Sequence, residues 1–391
     1  MFKHVKKYIR GNLLSIVVGI GLGLFLLEYP QYDLFQDIPI KDVLLSLLYI
    51  FAAVWLSIII HEAGHLVAGL LTGYRFVSFR IGSLMLVKRH NDYIWKRFSI
   101  MGTGGQCLMA PQSDQLIDQP YFLYHLGGVL ANLASSLLAY VTQLNLSPSS
   151  VKLFMIIFAV IGLLLGLTNA IPLNVDLVTN DGMNLILLGK DPQARASFNK
   201  QLLINEGLSH NIRLKELPQE WFELPDDYDK TNIFHTSINI FKMHRLIDSQ
   251  QYDQAVKFID ELLVSKQQFV GIHEAILKME ALFFKLIHNN QQANIDYLED
   301  IQVKKFMQGM PKFPTTLRLQ FAKALLYDMN HNVAQSHLEK FNTMAKTYPN
   351  EGDIEYERDL INLALRHASS FYSETVLTQL IQSNHSSFTQ V

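Results

Sequence analysis

Apolar residues fill the first half of the chain in long runs, whereas the second half alternates polar and apolar residues with helical spacing. Crossing a bilayer takes about 20 predominantly apolar residues. Four runs approach or exceed that length, and we predict membrane spans at 12–27, 43–71, 122–141 and 151–173. Charged residues are roughly twice as dense after residue 189 as before it, which predicts a membrane half followed by a soluble half.

The first run is either a removed signal peptide or a retained anchor. It is followed by EYPQYD rather than by the small residues of a cleavage site, which favours an anchor. Lysine and arginine occur in the N-terminal tail and in 75–120, but they do not occur in 28–40 or 144–150. Because positive loops stay in the cytoplasm, we predict a multi-pass protein of the cell membrane with both termini cytoplasmic.

The polar segment between the second and third spans predicts a small β structure. Residues 75–100 alternate loosely and are interrupted by HND, which indicates a β-hairpin with its turn near Asn91. The glycine-rich MGTGGQCLMAP that follows is predicted to be a loop. An exposed strand edge could accept an extended peptide, and the alternative is a surface hairpin without a partner.

The apolar periodicity of the soluble half predicts α-helices, so we expect both halves of the chain to be mainly α-helical. We assign 1–189 to a membrane domain, 190–231 to a juxtamembrane helix and linker, and 232–391 to a cytoplasmic helical-repeat domain. Three helical hairpins are predicted at 238–265, 275–301 and 316–341. Their spacing resembles tetratricopeptide-type repeats. They either dock a cytoplasmic partner or form a bundle that stabilises or dimerises the protein.

Ionisable residues in the second predicted span are the main indication of chemistry. The sequence HEAGH begins at His61, and such residues are costly in a bilayer. On a helix, His61 and His65 lie on one face and can bind one ion, while Glu62 can accept a proton from a zinc-bound water. The alternative is a buried histidine pair with a solvated glutamate, which is unfavourable because an unpaired carboxylate at that depth costs several kcal/mol.

A catalytic zinc ion usually has a third protein ligand and an open position for water. The candidates are Asp176 and Asp181, and Gly182 favours Asp181 because it allows a turn that presents the carboxylate. His90 lies in the predicted hairpin turn, and His125 has no spacing partner in the third span. Both are weaker candidates, since lone histidines are more often packed than metal-bound.

Small residues at helical spacing mark one face of the third predicted span. Gly127, Gly128, Ala131 and Ser135 are typical of close helix packing in membranes. Asn132 differs because an amide in a span requires a partner. It either holds a substrate carbonyl or developing oxyanion, or makes a hydrogen bond to another helix.

Overall composition adds two limits. The 391 residues have a formal net charge of -2, which gives no indication of a nucleic-acid partner. Cys107 is the one cysteine, so an intrachain disulfide is impossible.

Three motifs in order resemble the site-2 protease family of intramembrane zinc metalloproteases (peptidase family M50). HEAGH matches the family's HExxH, GGVLAN resembles its GPxxN, and NAIPL followed by NDG resembles its NxxPxxxLDG. The resemblance covers roughly 44–188. It implies that His61, His65 and Asp181 bind Zn²⁺, that Glu62 is the general base, and that Asn132 assists at the active site.

The sequence therefore predicts a zinc protease that cleaves a membrane-anchored peptide or protein, with the lipid bilayer as its surroundings. One alternative is a membrane scaffold whose helical repeats recruit a partner and whose metal site is not catalytic. Another is a zinc-dependent peptide exporter or immunity factor. An intact Glu62 favours the protease, since a structural site needs no base.

Overall fold

The computed structural model describes residues 40–100, 102–111, 116–172, 174–175, 178–265 and 267–385, so the predicted span 12–27 and the candidate ligand Asp176 lie outside the described residues. The α-helices are α1 (Ile40–Leu71), α2 (Phe122–Leu144), α3 (Ser150–Ala170), α4 (Asp181–Lys190), α5 (Pro192–Ser209), α6 (Ile233–Asp248), α7 (Tyr252–Val264), α8 (Gly271–Asn289), α9 (Ile301–Gly309), α10 (Pro314–Ala322), α11 (His331–Ala345), α12 (Glu351–Ala368) and α13 (Glu374–His385). The strands are β1 (Arg75–Ile81), β2 (Leu84–Arg89), β3 (Asp92–Arg97), β4 (Gly105–Ala110), β5 (Asn174–Val175) and β6 (Val178–Thr179).

Three of the described helices, α1, α2 and α3, are long and apolar enough to cross a membrane. They coincide with the predicted spans 43–71, 122–141 and 151–173, which confirms a mainly helical membrane architecture with a small antiparallel sheet. At 1.5 Å per residue, the 32 residues of α1 extend for about 48 Å, well beyond the hydrocarbon core of about 30 Å. Ser149 caps the N-terminus of α3, because its hydroxyl accepts a hydrogen bond from the Lys152 amide.

Close backbone contact holds these three helices together. A Cβ atom added to Gly64 of α1 would lie 2.3 Å from the Gly127 carbonyl oxygen of α2. A Cβ atom added to Gly162 of α3 would lie 2.4 Å from the Ser136 hydroxyl of α2. Small residues allow this approach, as is usual in membrane helix packing. Apolar side chains elsewhere on the helices are exposed, as at Leu138 (69%), and are suited to lipid.

The chain forms two compact units. The first contains α1, α2 and α3 together with Asn180–Leu185. The second contains the strands β1 to β6 and the residues from Ile186 onward.

The β segment forms a four-stranded antiparallel sheet in the order β3-β2-β1-β4. The predicted hairpin is confirmed, since β2 and β3 flank a turn at His90, whose φ of 56° is left-handed. The prediction of a loop for MGTGGQCLMAP was wrong over Gly105–Ala110, which is strand β4 and pairs with β1. Cys107 and Met109 are both buried there, a period-two pattern too short to outweigh the preceding glycines.

Helical hairpins make up most of the second unit. The predicted hairpins 238–265 and 316–341 are present as α6–α7 and as α10–α11, the latter with a π-helical turn at Lys323–Tyr327. The middle hairpin is irregular, because two 3₁₀ turns separate α8 from the short α9. The similarity to tetratricopeptide repeats and the docking of a partner stay predictions.

A buried ionic cluster joins three helices of this unit. Arg318 of α10 is fully buried, and it donates to Glu280 of α8 at 2.6 Å and to Glu357 of α12. The Thr315 hydroxyl donates to the other oxygen of Glu357. Burial would raise the pKa of Glu280, but Arg318 holds that pKa below its ordinary value. Burial raises the pKa of Glu357 even though the same arginine opposes it. Two buried carboxylates therefore share one guanidinium, and Glu280 also faces His244 Nε2 at 3.6 Å.

Replacing this arginine tests the cluster. We expect Arg318→Met to lower the free energy of unfolding by about 3–5 kcal/mol at pH 8, because both carboxylates lose their counter-charge. The variant raises the folded-state pKa of Glu357 further and moves that of Glu280 from below its ordinary value to above it. Its stability should therefore be highest in acid and fall as the pH rises through those folded pKa values. Unfolding of the detergent-solubilised full chain at pH 5 and pH 8 measures both effects.

The triple variant Glu280→Gln/Arg318→Met/Glu357→Gln is the control, since it removes the arginine together with both carboxylates. It should recover much of the lost stability and lose the pH dependence. A single Arg318→Met variant as stable as wild type at pH 8 would show that the arginine is not the counter-charge.

Candidate metal centre

The HEAGH sequence lies on α1 at the closest point of its contact with α2. Gly64, between the two histidines in sequence, packs on Gly127, so both imidazoles are pressed against α2. His61 and His65 are buried, with 9% and 8% of their surfaces exposed. The glycine of the motif therefore serves helix packing, while the histidines one turn apart share a face.

Three donor atoms converge at this contact. Asp181 Oδ2 lies 3.1 Å from His61 Nε2 and 3.4 Å from His65 Nε2, and the two imidazole nitrogens are 3.1 Å apart. Zinc ligands lie about 2.0–2.2 Å from the ion, so tetrahedral ligands are about 3.3 Å from each other. The observed separations fit that spacing, and two imidazoles with one carboxylate suit zinc.

The Tyr124 carbonyl fixes the tautomer of one imidazole. His65 Nδ1 lies 2.7 Å from this carbonyl oxygen on α2. A carbonyl only accepts hydrogen bonds, so Nδ1 carries the hydrogen, and in the neutral ring Nε2 is left as a lone-pair donor to a metal. The outer hydrogen bond thus prepares His65 as a ligand.

Asn132 contacts the other imidazole from about two turns further along α2. Its Nδ2 lies 3.3 Å from His61 Nδ1, and its side chain is completely buried. The sequence left two roles open for Asn132, and the structure shows this hydrogen bond between helices. Among the described residues its Oδ1 has no hydrogen-bond partner. A rotation of the amide by 180° would let Oδ1 accept the His61 Nδ1 hydrogen.

Gly128 makes room for both imidazoles. A Cβ atom there would lie 2.6 Å from His65 Nε2 and 2.7 Å from His61 Nε2. The sequence assigned both adjacent glycines to helix packing. The structure agrees for Gly127, whereas Gly128 faces the candidate ligands.

Asn180 places the third candidate ligand at the start of α4. Its Nδ2 donates to the carbonyls of Thr168 (2.7 Å) and Ile171 (2.6 Å) at the end of α3. Its Oδ1 accepts from the Met183 amide at 3.0 Å, which caps α4. Asp181 is therefore the first residue of a helix anchored to the end of the third described span.

Gly182 completes the NDG motif. A Cβ atom at this position would lie 2.1 Å from the Ala170 carbonyl oxygen, so α4 can begin this close to α3 only with glycine here. The turn predicted from the sequence is thus the start of a helix, and it presents Asp181 to the histidines.

The carboxylate of Asp181 is kept ionised by its neighbours. Burial would raise its pKa, but interaction with the His65 imidazole and the proximity of His125 and His61 hold the pKa well below its ordinary range. An ionised carboxylate is the form that binds a metal.

The remaining candidates lie in different places. Glu62 follows His61 on α1 and is buried, with 8% of its surface exposed. His90 belongs to the second unit, where its ring packs 5.1 Å from that of His210.

His125, given little weight from the sequence, lies beside the centre, with Nδ1 3.8 Å from Asp181 Oδ1. The spacing of 125, 128 and 132 at i, i+3 and i+7 could have revealed it, since these positions share one helix face.

Comparison with known proteins agrees with this geometry. The profile of peptidase family M50 matches residues 49–298, which is more than half of the chain. The chain belongs to peptidase family M50. Searches of curated proteins and of solved structures gave no match. Members of this family are zinc-dependent metalloproteases, and the three apolar helices agree with a membrane protein.

Gly128→Ala tests whether the room at the imidazoles is needed for metal binding. We expect zinc affinity to fall by about 10–100-fold, because the new methyl group displaces both ring nitrogens. Competition with a zinc chelator measures the affinity, and the thermal unfolding temperature reports on the fold.

Gly207→Ala is a matched control, since its Cβ would meet the Leu217 side chain at 2.5 Å in the second unit, which does not contain His61, His65 or Asp181. Wild-type zinc affinity in Gly128→Ala would contradict the assigned role of this glycine.

Proposed function

We propose that this M50 member is a zinc-dependent intramembrane endopeptidase in which His61, His65 and Asp181 hold the ion. The convergence of their three donor atoms at separations of 3.1–3.4 Å carries this proposal. The chain's place in a metalloprotease family and the position of both histidines within an apolar helix support it.

Glu62 is the proposed general base. It is adjacent to His61 on α1 and is buried, next to the point on which the candidate ligands converge. Bound zinc supplies Lewis acidity, which polarises a peptide carbonyl and lowers the pKa of water. Glu62 takes a proton from the attacking water and later gives it to the leaving amine, so the peptide bond is hydrolysed without a covalent enzyme intermediate.

Asn132 is a positioning residue in this scheme. Its amide contact with His61 Nδ1 orients the ring, as outer-shell partners of metal-binding histidines do. This role does not require the amide to contact the substrate carbonyl.

The proposed substrate is a membrane-anchored peptide or protein. Because backbone groups in a bilayer are bonded within their helix, the substrate helix has to unwind locally to expose a carbonyl to the site. The charge distribution of the loops supports entry of water from the cytoplasmic side.

Glu62→Gln separates metal binding from catalysis. We expect it to keep one zinc ion per chain and to lower the cleavage rate by about 10²–10⁴-fold, because the amide cannot accept the proton. Zinc content is measured on purified protein. Cleavage is measured on a fluorogenic transmembrane peptide with a Gly-Pro pair in its apolar segment, in the same micelles.

Glu261→Gln, at an exposed position of α7, is the control and should cleave like wild type. Undiminished cleavage by Glu62→Gln would contradict the role of Glu62 as base, and would favour a non-catalytic metal site.

Asp181→Ala and Asp176→Ala decide the third ligand. Loss of an outer-shell partner costs about 10–100-fold in metal affinity, so loss of a true ligand should cost more than about 100-fold. We expect that loss for Asp181→Ala and unchanged affinity for Asp176→Ala, measured by zinc competition. The reverse pattern would transfer the ligand role to Asp176.

A further inference from the structure

The two carboxylate oxygens of Asp181 face different groups. Oδ2 faces the two candidate zinc-binding nitrogens, at 3.1 Å from His61 and 3.4 Å from His65. Oδ1 faces Nδ1 of His125 at 3.8 Å. The carboxylate therefore has an inner oxygen directed at the centre and an outer oxygen directed at α2.

His125 is buried and fixed in place by its helix. Only 5% of its surface is exposed, and its ring packs 5.2 Å from that of Tyr124. The Tyr124 backbone carbonyl, in the same turn, accepts the hydrogen bond from His65. One turn of α2 thus contacts two of the three candidate ligands, through a main-chain oxygen and through an imidazole.

One face of α2 supplies an outer contact to every candidate ligand. Tyr124 contacts His65, Asn132 contacts His61, and His125 pairs with the Asp181 carboxylate. Outer partners of this kind orient metal ligands and raise metal affinity.

His125 is not placed as a fourth ligand. The atoms that converge on one point belong to His61, His65 and Asp181, and His125 lies on the far oxygen of the aspartate. A separation of 3.8 Å is longer than a direct hydrogen bond of about 3.2 Å, and a small rotation of either side chain closes it.

We propose that His125 is a positioning residue that holds Asp181 Oδ1 away from the ion, so that the carboxylate binds through Oδ2 alone. This inference rests on the proposed zinc site. A single carboxylate oxygen with two imidazoles makes three protein ligands, which leaves the fourth tetrahedral position open for water or a substrate carbonyl. Without His125, Oδ1 is free to turn inward and occupy that position.

Cobalt substitution tests the proposal without a substrate. Four-coordinate Co²⁺ absorbs visible light strongly, and the band weakens as the coordination number rises. We expect Co²⁺-loaded His125→Ala to lose band intensity relative to wild type, and its zinc affinity to fall by about 10–100-fold. His125→Asn should restore the spectrum, because the asparagine amide can donate from nearly the position of the imidazole Nδ1.

Gln143→Leu is the control for a buried polar side chain on the same helix, about 27 Å further along α2. It should leave the cobalt spectrum and the zinc affinity unchanged. A wild-type cobalt spectrum in a folded His125→Ala variant would overturn the proposal. So would a His125→Asn spectrum as weak as that of His125→Ala.

The proposed protease function is tested separately from this inference. If wild type binds one Co²⁺ ion but does not cleave the transmembrane peptide, the protease function fails and the spectra still decide the role of His125. If Glu62→Gln abolishes cleavage while His125→Ala keeps the wild-type spectrum, the protease function stands and the role of His125 fails.

Discussion

The backbone contact between α1 and α2 is the constraint on which the rest of the centre depends. Gly64 and Gly127 each leave no room for a side chain at the other's carbonyl. Because the helices approach this closely, His61 and His65 meet α2 directly rather than through intervening side chains. Helix packing in membranes depends on such contacts, since lipid gives no hydrophobic drive for helices to associate. Here the packing contact and the metal centre occupy the same turn.

Close packing buries the imidazole nitrogens of α1, and groups on α2 provide their hydrogen-bond partners. An imidazole buried in an apolar helix pair has two nitrogens, and each costs free energy if it is left unpaired. At His65 the outer nitrogen is bonded to the Tyr124 carbonyl, and at His61 it faces the Asn132 amide. The inner nitrogens face each other and the Asp181 carboxylate, an arrangement of acceptors that a cation stabilises.

Sequence reasoning found the parts of this centre that follow local rules. The four-residue spacing of HEAGH is enough to place His61 and His65 on one face, and the glycine after Asp181 indicates that something presents that carboxylate. Sequence reasoning gave His125 little weight because no second histidine lies at helical spacing from it, although Gly128 and Asn132 share its helix face. Its proposed role depends on Asp181, which is 56 residues away in sequence, and only tertiary structure brings the two together.

The same dependence on tertiary contacts explains which elements of the fold could be predicted from the sequence. Long apolar helices are predictable because length and hydropathy decide them, whereas β4 is decided by its pairing with β1 and by burial of Met109. Gly128 shows how one residue type can serve two purposes that sequence cannot separate. Glycine at that spacing is typical of helix packing, yet this glycine clears space for imidazoles.

Asp181 lies outside the apolar helices, so its position has to be imposed by other residues. Asn180 bonds to two carbonyls at the end of α3 while capping α4, and Gly182 lets the first turn of α4 contact Ala170. These contacts fix the position of the Asp181 backbone, but they leave rotation about its side-chain bonds undetermined. Only a group near the carboxylate itself can select which oxygen points inward, and His125 is placed to do so. The position of Asp181 is thus set by α3 and its orientation by α2, which makes this proposed third ligand as dependent on helix packing as the two histidines of α1.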